Sequence, residues 1–269
     1  MENKLKLSEK ELAEAEHRSA ARAVVVYEAI RSEGEQELAR PTSALFWSAL
    51  AAGLSMGFSL IGEGLLRSML PALPWRPIVT KFGYTFGFLM VVLGRQQLFT
   101  ENTLTPILPL LLHRTRPVLH NTIRLWGVVL AANLLGAVAI AWVLANTGAF
   151  DPSVRRAFAE IGQESLSAPF GLALLRGVFA GWLIAFMVWL LPSAESFRVV
   201  VIVALTWLVG VGHLTHIIAG SIEVLYLAAS GVTGYGHAVT AYMIPTLIGN
   251  ILGGVALVAA LNHAQVVSK

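Results

Sequence analysis

Cysteine is absent from the 269-residue chain, which excludes a disulfide framework, a zinc-thiolate site and a thiol nucleophile. Charge is scarce: Asp, Glu, Lys and Arg make up 13% of the residues against 56% hydrophobic, and mean hydropathy is +0.69. That balance is too apolar for an ordinary soluble domain of this length and implies an integral membrane protein. No basic stripe or nucleic-acid motif is present, so no nucleic-acid partner is expected. His-Glu-x-x-His does not occur, and Glu-x-x-His occurs once, at Glu14 and His17 in the charged N-terminal segment outside the apolar stretches, so no metal, no other cofactor and no enzymatic activity are expected. The N-terminus is charged where a secretory signal needs an apolar core, so no cleavable signal peptide is expected.

What charge there is clusters. Residues 1 to 40 carry nine of the sixteen acids (Glu2, Glu9, Glu11, Glu14, Glu16, Glu28, Glu33, Glu35 and Glu37) and seven of the nineteen bases. Within them, residues 5 to 32 place Leu12, Val24, Tyr27 and Ile30 among charges. This predicts an amphipathic helix lying on the membrane or on the protein itself, or, slightly preferred, a solvated lead-in helix. The chain divides into this segment (1–40), a membrane domain (41–262) and a short tail (263–269).

A membrane-crossing helix needs roughly 20 mostly apolar residues. Six stretches qualify, at about 44–66, 78–112, 120–146, 169–191, 198–229 and 237–260. The second and fifth are too long, and each is interrupted by polar residues: GRQQLFTENT at 94–103 and HLTHIIAGS at 213–221. Two half-helices joined by a non-helical stretch buried in protein fit this pattern, and broken helices build pores and binding sites. Each break precedes a helix carrying Asn-x-x-Gly: Thr100 lies 33 residues before Asn133, and His216 lies 34 before Asn250. Ala-Gly recurs at 52–53 and 180–181, ahead of each break. The expected fold is therefore all-α, with six transmembrane spans in two repeats (about 41–146 and 165–262). Three spans per half invert the second half, bringing Thr100 and His216 together near the midplane. Pairs of small residues four apart, Gly83 with Gly87 and Gly249 with Gly253, predict close helix crossings. Pro71, Pro74 and Pro77 mark a rigid loop. Lys and Arg are richer on the side holding the N-terminal segment, residues 113–120, Arg198 and Lys269 than on the side of Arg67, Arg76, Lys81, Arg155 and Arg156. Both termini are expected in the cytoplasm.

An ionisable residue inside a span costs several kcal/mol and is a functional candidate by default. These candidates are Glu63, Arg95, Glu101, Arg176, His213, His216 and Glu223. His216 leads, because a neutral imidazole can stay buried and can exchange a proton with a passing solute; the plainer reading is a histidine bonded across two half-helices. Thr100 offers a hydroxyl to an anion or to His216, or simply satisfies freed backbone. Leu98, Phe99 and Phe88 are candidate constrictions or packing residues. Arg95 and Arg176 are expected to pair with Glu101, Glu223 or Glu63, while His213, Glu223, Asn133 and Asn250 serve as supporting polar groups.

LFTEN (98–102), ANLLG (132–136), AGWLIAFMVW (180–189), THIIAG (215–220) and IPTLIGNILGG (244–254) stand in an order and spacing that resembles the formate/nitrite transporter family. The resemblance implies an aquaporin-like protomer with broken second and fifth spans, a homopentamer with one pore per protomer, and a bacterial inner membrane. It also implies a solute of the formate, nitrite or hydrosulfide class: a small monovalent anion or its conjugate acid. By position, the family's central histidine falls on His216 and its second-span threonine on Thr100, with constrictions near Leu98, Phe99 and Phe88. The chain departs from the family in three places. Gly181 stands where a fourth-span asparagine is usual, Ser165 or Leu166 beside Glu164 where a lysine is usual, and Arg95, Gln96, Gln97 and Glu101 flank a break that usually holds small residues. The cation that would draw in an anion is thus expected to be missing, and this marks a divergent branch. An unpaired Glu101 in the pore would repel an anion at 4 Å by about 4 kcal/mol. A pore for a small neutral or cationic solute, and a non-transporting protein of the same fold, are the alternatives.

Overall fold

The fold was read from a computed structural model that describes residue 8 and residues 22–268, and among these residues it is helical with no strand. Four helical runs are long and apolar enough to cross a membrane: Thr42–Met69, Arg116–Asn146, Phe170–Ser193 and Tyr235–Val267. The first is α2 (Thr42–Ser55) and α3 (Gly57–Met69), bent at Met56. The others contain α6 (Arg116–Asn146), α8 (Phe170–Leu190) and α11 (Tyr235–Val267). Between them lie the two interrupted elements. One is α4 (Arg76–Leu93) followed by α5 (Ile107–His113), and the other is α9 (Arg198–Val211) followed by α10 (Ala219–Ala229). Proline opens several helices, with Pro117 in α6 and Pro152 in α7 (Pro152–Leu166), where its missing N–H costs nothing.

Both breaks are built the same way. Gly94 and Gly212 end α4 and α9 with φ −75° and ψ 0°. Arg95 and His213 follow in the left-handed region at φ 53° and 49°. The N–H of Gln96 then reaches Val91 O at 3.0 Å, and that of Leu214 reaches Val209 O at 3.0 Å, a closure usually made with glycine at the left-handed position. Asn133 of α6 accepts from Phe99 N (2.9 Å) and donates to Ala49 O (2.7 Å) and Gln97 O (2.9 Å). Asn250 of α11 accepts from Ile217 N (2.9 Å) and donates to Gly177 O and Thr215 O (both 2.9 Å). Each asparagine thus satisfies backbone groups that no water could reach at that depth.

These bonds also correct the register of the repeat. Phe99 corresponds to Ile217, so Thr100 corresponds to Ile218 and His216 to Leu98. Thr100 and His216 do meet, but across a stagger of two residues rather than as equivalents.

Glycines set the crossings as their spacing predicts. A Cβ on Gly83 would lie 2.2 Å from the Gly62 carbonyl carbon in α3, and one on Gly253 would lie 2.1 Å from Val178 O in α8. The N-terminal segment differs from expectation. Residues 5–7 and 9–21, including Leu12, lie outside the described residues, and helix α1 runs Ala23–Ala39. Instead of being solvated it is docked: Tyr27 and Ile30 are buried while Val24 is 50% exposed. Tyr27 Oη meets His263 Nδ1 at 2.8 Å, and Arg124 of α6 donates to Leu38 O and Arg40 O. Helix α7 is an element the sequence reading passed over. Its Val154, Ala157, Phe158, Ile161 and Gly162 form a buried stripe at helical spacing.

Asn133→Ala and Asn250→Ala each orphan three backbone groups, at about 1–3 kcal/mol per buried group. Both should lower the unfolding temperature of the detergent-solubilised protein well beyond the effect of Asn146→Ala at an exposed site, and melting alongside that control would refute the bridging role.

Candidate functional site

At the centre, Thr100 Oγ1 and His216 Nε2 stand 2.8 Å apart, and neither residue has any exposed surface. His216 Nδ1 faces the backbone N–H groups of Ile218 (3.3 Å) and Ala219 (3.2 Å) at the start of α10. Both are donors, so Nδ1 accepts and the proton of the neutral ring sits on Nε2, pointing at Thr100. Thr100 keeps its own O–H to give elsewhere. The pair therefore presents one free donor, the Thr100 hydroxyl, with the His216 Nε2–H bonded behind it, an arrangement suited to an oxygen or sulfur lone pair.

The walls on either side are apolar. Phe88 of α4 packs edge-on to His216 with ring centroids 5.0 Å apart, and Tyr84 lies behind it at 5.4 Å with its ring tilted by 48°. Lys81, Tyr84 and Phe88 share one face of α4 by their spacing of three and four residues. Leu98 is fully buried and also lines the cavity beyond it on the α1 side. Phe99, expected beside it, is buried and packs edge-on against Trp126 of α6 at 5.7 Å.

A cavity of about 290 Å³ opens on the α1 side. Its wall includes Glu33 and Glu37 from α1, Arg95 and Gln97 from the break, and Glu101. Arg95 pairs with Glu33 at 2.8 Å, not with Glu101, which corrects the expected pairing. Glu101 lines the cavity, and its Oε1 has no hydrogen-bond partner. Glu37 accepts from Gln97 Nε2 (2.9 Å) and Thr105 Oγ1 (2.8 Å). Burial raises its pKa above the usual carboxylate value, against the pull of those two donors.

A smaller cavity on the α7 side, about 30 Å³, has room for roughly one water. Lys81, Glu164, Ser165, Arg176, His213 and Glu223 are among its lining residues. Lys81 Nζ lies 2.5 Å from Glu63 Oε1, and Ser165 Oγ donates to Glu223. Arg176 therefore takes neither of its expected partners.

A family model described as formate/nitrite transporter matches residues 24–264. The chain belongs to the formate/nitrite transporter family. The inner membrane protein YfdC of Escherichia coli (strain K12) is 43% identical over 251 residues, covering 93% of this chain and 81% of that protein. A solved structure titled as an FNT family ion channel superposes with TM-score 0.74 at 17% identity, over 88% of this chain and 97% of that one. A pentameric formate channel with formate bound superposes with TM-score 0.67 at 19% identity, over 82% and 95%. The protein is accordingly an integral membrane protein with the fold of these transport channels.

Two departures from the formate/nitrite transporter pattern have spatial explanations. A Cβ at Gly181 would lie 2.3 Å from Asn250 O, so the α8–α11 crossing leaves no space there for an asparagine side chain. The cavity that Ser165 lines does hold an ammonium, contributed by Lys81 of α4, which corrects the expectation of a missing cation. Lys81 counts by charge with the bases flanking the spans, and it is the sixth residue of α4. Its spacing to Tyr84 and Phe88 was the available signal.

Arg67 of α3 clamps α7 through Glu160 (3.0 Å) and Glu164 (2.5 Å). Burial alone would raise the Glu164 pKa, but the Arg67 guanidinium holds it below the usual carboxylate value of 4.5. A depressed carboxylate stabilises the fold above that value and loses its contribution as pH falls through its own pKa. The melting-temperature gap between wild type and Glu164→Gln should be widest near neutral pH and close below about pH 4; a gap independent of pH would refute the assignment.

Proposed function

We propose that the protein is a pore or transporter for a small monovalent anion or its conjugate weak acid, of the formate, nitrite or hydrosulfide class. The observation that carries this reading is the Thr100–His216 pair, enclosed by Phe88 and Leu98 and approached by a cavity from each side. A solute leaving either cavity sheds water at the apolar wall and regains a hydrogen bond from the Thr100 hydroxyl, whose oxygen the His216 Nε2–H holds in place. Crossing the walls as the neutral acid costs far less than crossing as the bare ion. The family match and the formate-bound structural neighbour support this solute class.

In the same reading, the α1 side faces the cytoplasm of a bacterial inner membrane, both termini lie there, and five protomers assemble with one pore each. The lysine and arginine asymmetry supports the orientation, and the pentameric neighbour supports the assembly. Transport rather than catalysis is the activity. Glu33, Glu37 and Glu101 on the α1-side cavity favour a second reading, a pore for a neutral or cationic solute.

Proteoliposome flux of formate and nitrite, set against swelling in uncharged solutes and against ammonium, separates the two readings. Thr100→Val should slow the anion by about tenfold or more for the lost hydrogen bond. His216→Ala should lower its preference over uncharged solutes. Unchanged selectivity in His216→Ala would rule the central pair out.

A further inference from the structure

The weak-acid reading needs a proton for an arriving anion, and the central histidine is poorly placed to give one. Its Nδ1 is committed to the start of α10, and its Nε2 proton is the one that bonds Thr100. We propose that Glu223 is the proton donor that converts the anion to its neutral acid in the α7-side cavity before it reaches Phe88. The inference rests on the weak-acid reading above.

Glu223 lies on α10, two turns along from His216, and is 5% exposed. It is a cavity-lining carboxyl with no cation within ion-pair distance among the described residues. The other carboxyls nearby are engaged: Glu63 of α3 by Lys81, and Glu164 of α7 by Arg67. The Ser165 hydroxyl fixes the Glu223 carboxyl in place. Tyr84 of α4 and Tyr242 of α11 face the same space, and His213 and Arg176 stand with them. The Tyr242 hydroxyl lies over Gly220, where a Cβ would come within 1.7 Å of it, and reaches towards His216 O at 3.5 Å. It therefore sits between Glu223 and the centre.

The step is a single proton transfer. The O–H bond of the Glu223 acid breaks as an O–H or S–H bond forms on the solute, leaving a neutral acid and a Glu223 carboxylate. That carboxylate is met by the Ser165 hydroxyl and the charge of Lys81, and water outside returns the proton. Lys81 lines this same cavity, so the Lys81–Glu63 pair and the proposed proton donor stand side by side.

The test uses the full-length protein in liposomes loaded with a pH-sensitive dye, with an inward formate gradient and protein-free liposomes subtracted. With wild type, formate uptake acidifies the lumen. Glu223→Gln keeps the size and the acceptor for Ser165 but has no proton to give. It should slow acidification about tenfold or more near neutral pH, and the deficit should shrink as the outer pH falls and bulk water supplies formic acid directly. Glu223→Asp should recover part of the rate. Ser165→Ala, which leaves the carboxyl in place but unfixed, should fall between and keeps the proposal testable if Glu223→Gln does not fold. Wild-type rates in Glu223→Gln, or a deficit of equal size at every pH, would overturn the proton role while leaving the pore reading standing. A wild-type protein that moves no formate, nitrite or hydrosulfide would overturn the pore reading, and this inference with it.

Discussion

Non-helical backbone in the middle of a membrane protein has no water to bond, and Thr100 and His216 both sit on such backbone. Asn133 and Asn250 resolve that conflict. Each inserts an amide between a break and the helix before it, accepting one N–H and donating to two carbonyls. Because an amide carries both roles on one rigid group, it pins the extended segment to its neighbouring helices in one register. The tight Gly53 and Gly181 crossings follow from this constraint, since α6 and α11 must come close enough for their asparagines to reach, and a Cβ at either position would lie within 2.3 Å of the asparagine carbonyl oxygen.

The same repeat yields an asymmetric centre. The two breaks match residue for residue, from the left-handed Arg95 and His213 to the bridged Phe99 and Ile217. Yet His216 faces Thr100, two positions beyond Leu98, its own counterpart. One half contributes an imidazole and the other a hydroxyl to the hydrogen bond at the centre. The imidazole also caps α10, which gives it one role in stability and another facing the path.

Charge is distributed by neighbour rather than by chain position. Arg95 finds Glu33 on α1, Lys81 finds Glu63 on α3, and Arg67 finds Glu164 on α7. The docked α1 therefore belongs to the wall of one cavity, and α7 to the wall of the other. The two mouths differ in chemistry: three carboxylates against Arg95 and Arg198 on the α1 side, and a mixed set with a buried lysine on the α7 side.

The membrane character, the apolar runs, the two breaks and the meeting of Thr100 with His216 were legible in sequence. Hydrophobic length, polar interruption and repeated Asn-x-x-Gly are local patterns whose physical meaning does not depend on partners. Tertiary structure alone decided the two-residue stagger, the tautomer of His216, the packing of Phe99 against Trp126 and the choice of every ion-pair partner. These depend on which backbone groups and charges come within about 3–4 Å in space, a distance that spacing along the chain does not encode. Lys81 shows the boundary most plainly: its place on the face of α4 could be counted from Tyr84 and Phe88, but its arrival beside Ser165 needed α4 and α7 packed around one cavity.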